Sequence, residues 1–411
     1  MKRDPFGVTP FYYALTPRGL VHSQSLEEVT AHPAVDVREL DEGWIADYLE
    51  HGVSNDETAT VYKHIRRLPP AHELTLREDG ELRIRRYWSL PPREPRRDGP
   101  ALLEQALKDA IADRINGDSA VVFMSGGLDS TTLAALAREV RPQTKLLAST
   151  TVYRSRIPDV EEPFAVEAAR SLGIPIDLFP LDDYPPLGAL EEGLRTPDPG
   201  PLLSAQMTRN LYARVAQHAP VAMHGHPADA ILHADIQAYL RGLPPIRRLG
   251  ALLQAAWIRR RPSYLRRGEP ESAHPLLSPM WSSYFEWTHS SRTGVPLEVV
   301  YPWCDVRVVE AAMALEPIPQ LVEKQVVRGM LRGRVSDTIR RRRKSFLQGN
   351  PWTAPLPPLG VEITEAARYV DAKRFRDQCR AAGYLDDAAL RVLALDYWLA
   401  RRTGRHDLMS S

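Results

Sequence analysis

The run Ser125-Gly126-Gly127-Leu128-Asp129-Ser130 gathers the residue types that hold a phosphate. Two glycines let the backbone turn tightly and present its N–H groups, and the serines add hydroxyl donors. A helix starting at this point brings its positive N-terminal end to the same anion. Asp129 is then placed to hold a magnesium ion against the phosphates. The spacing is not the Gly-x-x-x-x-Gly-Lys-Ser loop of kinase-like NTPases, and pyrophosphate is the simplest anion that fits. A plain turn with an N-cap would explain the glycines and a serine. It would not explain all six types standing between a strand and a helix.

The flanking sequence supplies those elements. Ala120-Val121-Val122-Phe123-Met124 is a short, wholly apolar run suited to a buried parallel strand. Over residues 130–140, Leu133, Leu136, Ala137 and Val140 share one helical face. Residues 102–111 repeat apolar side chains at helical spacing. Downstream, 145–152 predicts a second strand, 162–172 a second helix and 176–179 a third strand. This pattern predicts an α/β fold built on a doubly wound, mostly parallel sheet. Helices dominate from about Leu203, with one more strand at 220–223, an amphipathic basic stretch at 247–267 and an apolar last helix at 388–401. The first ninety residues instead predict short strands, a helix at 42–51 and a hairpin turn at Asp79-Gly80. Residues 91–100, polar and proline-rich, read as a linker, dividing the chain into 1–90, 91–100 and 101–411.

At 411 residues with 43% apolar side chains the chain can fill more than one core. Its 53 basic and 52 acidic residues leave a formal charge of +1, so no overall field draws it to nucleic acid or to an anionic membrane. Cys304 and Cys379 are its only cysteines, too few for a disulfide scaffold or a cysteine-only metal site. With no apolar run of about 18 residues and no signal-like start, a cytoplasmic location without stable membrane insertion is expected. Only seven of the basic residues are lysine, which makes each lysine a minority choice. Lys344, at the end of the run Arg340-Arg341-Arg342-Arg343-Lys344, draws notice on that ground.

On its residues 125–130 the chain resembles the ATP-pyrophosphatase superfamily, whose members cleave ATP to AMP and pyrophosphate while activating an acyl or carbonyl group. Other motifs are similar to the asparagine synthetase group. They are Arg3-Asp4-Pro5-Phe6-Gly7-Val8-Thr9-Pro10-Phe11-Tyr12-Tyr13, Leu68-Pro69-Pro70-Ala71-His72 and Tyr301-Pro302-Trp303-Cys304-Asp305-Val306-Arg307-Val308-Val309-Glu310. The resemblance implies a fold of the adenine nucleotide α-hydrolase, or PP-loop, type with a helical C-terminal part and with ATP and magnesium as cofactors. It also implies a small, partial α+β domain of the glutaminase type in front. Glutaminases of this type carry a cysteine directly after the initiator methionine. Here position 2 is Lys2, and the domain begins about halfway through its usual length. Without the nucleophile no thioester with glutamine forms, and the amine is expected from elsewhere.

Further stretches resemble the lasso peptide cyclases, the branch that joins a peptide's N-terminal amine to one of its own side-chain carboxylates. They are Pro180-Leu181-Asp182-Asp183-Tyr184-Pro185-Pro186-Leu187, Gly225-His226-Pro227-Ala228-Asp229-Ala230-Ile231-Leu232, Lys344-Ser345-Phe346-Leu347-Gln348-Gly349-Asn350-Pro351 and Ala394-Leu395-Asp396-Tyr397-Trp398-Leu399. This resemblance implies a linear core peptide as substrate, a leader-peptide-binding protein and a leader peptidase as partners, and no nucleic acid. It makes Asp229 the second magnesium carboxylate and Gly225 part of the phosphate-contacting turn, although Pro227-Ala228 replaces the usual two glycines. Lys344 is implied as the cation that neutralises the α-phosphate and the leaving pyrophosphate. Glu298, four residues before Pro302, is implied as the glutamate that orients the nucleophile or relays its proton, with Tyr264 and Tyr284 as candidate helpers. Ser149, at the end of the second strand, is expected beside the adenine and ribose.

Local chemistry favours structural roles for other polar residues. Asp305 and Arg307 are expected to anchor a helix, Asp159 and Glu161 to open one, Cys304 to pack in a core, and His224 and His226 to form a hydrogen-bonded element. The arginine-rich stretches at 259–267 and 340–343 suit an acidic partner and a solvated face equally. Two other functions stay open: an amide former of the same group acting on a small amino acid, and a non-catalytic truncated paralogue that binds a partner.

Overall fold

The computed structural model describes residues 1–191, 194–259, 274–343, 347–351, 353–358 and 360–402. Its centre is a sheet of five parallel strands: β1 (Ser119–Phe123), β2 (Lys145–Val152), β3 (Ile176–Pro180), β4 (Val221–His224) and β5 (Glu298–Val300). They pair in the order β5-β4-β1-β2-β3. Strand β1 comes first in the chain yet lies between β4 and β2, so the winding reverses on one side of it. In such sheets ligands bind outside the carboxyl ends of the strands at that reversal. Phe123 pairs with both Ser149 and His224, which brings those strand ends level.

The apolar run in β1 is unbroken because both of its faces are covered. Val122 packs with Leu103, Leu107 and Ile111 of α1 (Gly99–Arg114) and with Leu133 and Leu136 of α2 (Leu128–Val140). Val121 points the other way, as the two-residue period of a strand requires, and packs with Leu211, Tyr212 and Val215 of α4 (Leu202–Ala216). Between them in the chain, α3 (Glu162–Leu172) adds Ala168, Ala169 and Leu172 to the first of these cores. Helix α2 begins at Leu128, two residues earlier than its apolar face alone predicts, so Asp129 lies in its first turn.

The N-terminal part forms a three-stranded antiparallel sheet with Tyr12–Thr16 between Gly19–Ser23 and Arg66–Arg67. A hairpin of His72–Leu76 and Leu82–Arg86 lies beside it, turning through Gly80 at φ +85°. The helix Glu42–His51 is N-capped by Asp41 and stopped by left-handed Gly52, as its residue types predict. This part does not fill a core alone. Trp44, Ile45 and Tyr48 pack with Leu393, Leu395 and Trp398 of the last helix, Asp387–Arg402.

Residues 91–98 differ from the free spacer their composition predicts. The N–H of Glu94 donates to the Met313 carbonyl at 3.0 Å and that of Arg96 to the Ala314 carbonyl at 2.8 Å. Arg93 adds bonds to the carbonyls of Ala312 at 2.7 Å and His233 at 3.0 Å. The segment is a strap that satisfies the carbonyls at the end of the helix Val306–Met313. Of the basic stretch, Pro245–Arg259 is helical, and its remainder, with Tyr264, lies outside the described residues. No helix among the described residues is long and apolar enough to cross a membrane.

Candidate active site

The phosphate-type loop sits where the winding reverses. Gly126 has φ +68°, and a Cβ there would stand 2.4–2.6 Å from the backbone of Phe164 and Ala165. Only glycine lets the loop pass that closely over the start of α3. Gly126→Ala is expected to cost roughly 2–4 kcal/mol, the sum of a left-handed penalty and overpacking, read as a lower urea midpoint. An unchanged midpoint would contradict the close approach. Arg342 braces the same loop: its guanidinium donates to the Ser125 carbonyl at 3.0 Å and lies 4.1 Å over the Phe164 ring.

Gly127 caps α2 without any side-chain hydrogen bond, so no capping side chain stands between the positive end of the helix and a ligand. Ser125, Gly127, Leu128, Asp129 and Ser130 all line one cavity of about 880 Å³. Gly225, Asp229 and Ser149 line it as well. At Gly225 a Cβ would come within 3.0–3.2 Å of Ser130, so glycine is what lets the turn after β4 close on the loop after β1. The Ser149 hydroxyl is buried and has no hydrogen-bond partner in the structure described. A buried donor without a partner beside a glycine-lined cradle fits a nucleotide, which would satisfy it.

Asp129 and Asp229 come from different strand ends and meet at one ammonium group. Lys324 Nζ lies 2.7 and 2.5 Å from the two carboxylate oxygens of Asp129 and 2.5 Å from Asp229 Oδ1. The carboxylates can therefore share one cation. Among the described residues no group of three acidic, histidine or cysteine side chains could hold a metal. A magnesium ion here would complete its shell from phosphate oxygens and water, as that ion commonly does.

Lysine scarcity marks Lys324 as much as Lys344, but the motifs pointed only to Lys344. Lys344 lies outside the described residues; Arg342 and Arg343 before it line the cavity. The run 340–343 is therefore not simply a solvated face, for the Arg342 side chain is buried.

Glu298 is not brought to this cavity. It pairs with Val221 at the start of β4, whereas His224, three residues further along that strand, is the one that lines the cavity. Three residues of strand amount to about 10 Å. Counting back from Pro302 thus places Glu298 at the wrong end of the sheet, and its side chain is exposed. The carboxylates among the described residues that do line the cavity are Asp129, Glu161, Asp229 and Glu323.

Other expectations of structural roles agree with the contacts. His226 N–H donates to His224 Nδ1 at 3.2 Å, which leaves Nε2 to carry the proton toward the Tyr284 hydroxyl, also at 3.2 Å. Burial, reinforced by His226, pushes the His224 pKa well down and keeps the ring neutral. Tyr284 thus backs the cavity wall through His224. Asp305 caps the helix Val306–Met313 and accepts from Arg114 at 2.9 Å. Asp159 accepts from the N–H groups of Glu161 and Glu162 at the start of α3. Burial raises the Cys304 thiol pKa well above its usual value, in keeping with a packing role. Asp182 binds the N–H groups of Ser155 and Arg156 at 2.8 and 2.7 Å, which fixes the loop after β2.

Two family models match this chain, one on each side of the strap. The asparagine synthase family matches residues 102–410, and the glutamine amidotransferase domain family matches residues 1–88. Asparagine synthetase [glutamine-hydrolyzing] 3 of Bacillus subtilis is 31% identical over 139 residues, covering 33% of this chain and 22% of that protein. Asparagine synthetase [glutamine-hydrolyzing] 1 of the same organism is 29% identical over 177 residues, 42% of this chain and 27% of that protein. The matched stretches thus span about a quarter of these relatives. Among solved structures, the NMN synthetase of Francisella tularensis aligns with TM-score 0.31 and 13% identity over 76% of this chain and 98% of that one. The NH3-dependent NAD synthetase of Campylobacter jejuni aligns with TM-score 0.26 and 15% identity over 32% and 59% of the two chains. With its family match running through residues 125–130, Asp229 and the helical C-terminal part, this chain belongs to the asparagine synthase family.

Proposed function

We propose that this chain is an ATP-dependent, AMP-forming amide synthetase that closes a linear peptide into a macrolactam. The observation that carries the amide-forming part is the meeting of the 125–130 loop, Asp129 and Asp229 on one cavity of about 880 Å³. That volume lies in the upper part of the range for small-ligand sites, about 300–1,000 Å³, and leaves room for a second substrate beside a nucleotide. Bound ATP would accept a carboxylate at its α-phosphorus and so give the acyl group a leaving group that an amine can displace. The protein's part is to hold the phosphates on the first turn of α2, to hold the metal with Asp129 and Asp229, and to position the two ends of the peptide. Lys344 is proposed to add positive charge where pyrophosphate departs.

The amine donor is proposed to be the peptide's own N-terminus. Residues 1–88, which match the glutamine amidotransferase domain, contain no cysteine, so this segment has no thiol to release ammonia from glutamine. The motifs shared with lasso peptide cyclases support the peptide as substrate. Purified protein with ATP, magnesium and a candidate linear peptide should convert it to a product lighter by one water, with one AMP and one pyrophosphate per ring. Pyrophosphate release driven by a small amino acid, with the peptide unchanged, would replace this reading by the simpler amide former. Absence of any ATP binding in calorimetry would favour a non-catalytic role.

A further inference from the structure

The cation position between Asp129 and Asp229 is held by part of the protein itself. Lys324 Nζ stands within 2.7 Å of three carboxylate oxygens drawn from the two loops. Its side chain and that of Asp129 are each 20% exposed, so this pair is not a loose surface contact, while the Asp229 side chain closes the bridge from the solvent side at 51% exposed. The backbone that delivers it is unusual. Glu323 and Lys324 have φ values of +49° and +52°, two successive non-glycine residues in the left-handed region. Such conformations persist only where surroundings impose them, and they cluster at functional sites. Here the imposing contacts are visible: Arg328 Nε donates to the Glu323 carbonyl at 2.7 Å, and its other nitrogens donate to the carbonyls of Arg340 at 2.6 Å and Arg342 at 2.8 Å.

We propose that Lys324 is a placeholder cation: it bridges Asp129 and Asp229 in the nucleotide-free protein and yields them to the divalent metal only when the metal arrives with a polyphosphate. The inference rests on the reading of the cavity as a site for ATP and magnesium. A divalent ion and an ammonium group cannot both occupy the gap between these carboxylates, so either cation excludes the other. A metal arriving alone offers the displaced ammonium no new partner. A metal arriving with a polyphosphate does, because the anionic oxygens lying on the first turn of α2 can take it up. Lys324 would thereby make metal binding conditional on nucleotide. Without it, the two carboxylates would repel the incoming phosphates in the absence of metal.

Manganese as a paramagnetic probe tests this by titration of the full chain, followed by electron paramagnetic resonance without nucleotide. A bridged state that fills nine-tenths of the population weakens apparent affinity about tenfold, so Lys324→Met should bind manganese roughly tenfold more tightly than the wild type. Lys324→Arg, which keeps a cation, should stay near the wild-type affinity. In the presence of ATP the Lys324→Met advantage should vanish or reverse. Equal nucleotide-free affinity of wild type and Lys324→Met overturns the placeholder role. Should Lys324→Met fail to fold, as judged by circular dichroism, Lys324→Gln replaces it in the same comparison. Failure of wild type and variants alike to bind manganese with ATP would instead overturn the nucleotide reading on which the inference stands.

Discussion

Asp129→Asn is expected to reduce ATP-dependent pyrophosphate release by on the order of 10²–10³-fold while leaving the fold in place. The substitution is close to isosteric, and position 129 lies in the first turn of α2, where either side chain fits. What disappears is one negative charge at the point where two loops converge. An amide oxygen is a weaker ligand for a hard cation than a carboxylate, and the remaining acid, Asp229, cannot orient a metal alone. The same change leaves Lys324 one uncharged amide oxygen where it had two carboxylate oxygens, so its remaining ionic partner is Asp229. The stability effect should be small, since a carboxylate near a helix N-terminus contributes about 0.3–1 kcal/mol. A pyrophosphate assay alongside thermal melting separates the two readouts. Asn at 129 with a near-wild-type rate would remove Asp129 from the chemistry. A large loss of melting temperature would make it a structural residue instead.

The parts of this site that can be read from sequence are those whose chemistry is local. The run 120–124 announces a strand covered on both faces, and the glycine pair announces a turn that a side chain would obstruct. Both readings need only neighbours within a few residues. Lys324 is different, because its place depends on a left-handed pair of residues and on Arg328, which ties Glu323 to the carbonyls of Arg340 and Arg342. Nothing in the spacing of 320–330 encodes that. Arg342 makes the same point within a run of four arginines, where composition cannot say which one turns inward. Glu298 shows the opposite failure. A fixed distance from a recognisable motif locates it in the chain, but which end of a strand faces the ligand depends on the sheet. The N-terminal core was equally hidden, since Trp44 and Trp398 are joined only by the finished fold.

Glu286→Ala should be among the most destabilising single changes in this protein, at about 3–5 kcal/mol, because it strands two buried guanidinium groups. Glu286 is 2% exposed on the helix Pro279–Thr288. It accepts from Arg67 Nε at 3.0 and 2.9 Å and from Arg3 at 3.2 Å, so two residues of the N-terminal part converge on it. Arg3 also donates to the carbonyls of Thr9, Leu68 and Gly7, which locks the first residues to the segment before the hairpin. Removing the carboxylate leaves those bonds but takes away the charge that compensates both cations. The ion pair itself need not be stabilising relative to apolar packing, since desolvation of three charged groups opposes it. The double variant Arg67→Met with Glu286→Met should therefore lose less stability than the sum of its single changes. Urea unfolding of the four proteins measures that coupling, and strict additivity would refute it. The consequence reaches the cavity, because Tyr284, one half-turn away on the same helix, holds His224 at its wall. Through that helix, the amidotransferase-like segment acts as a brace for the candidate site even though it carries no cysteine of its own.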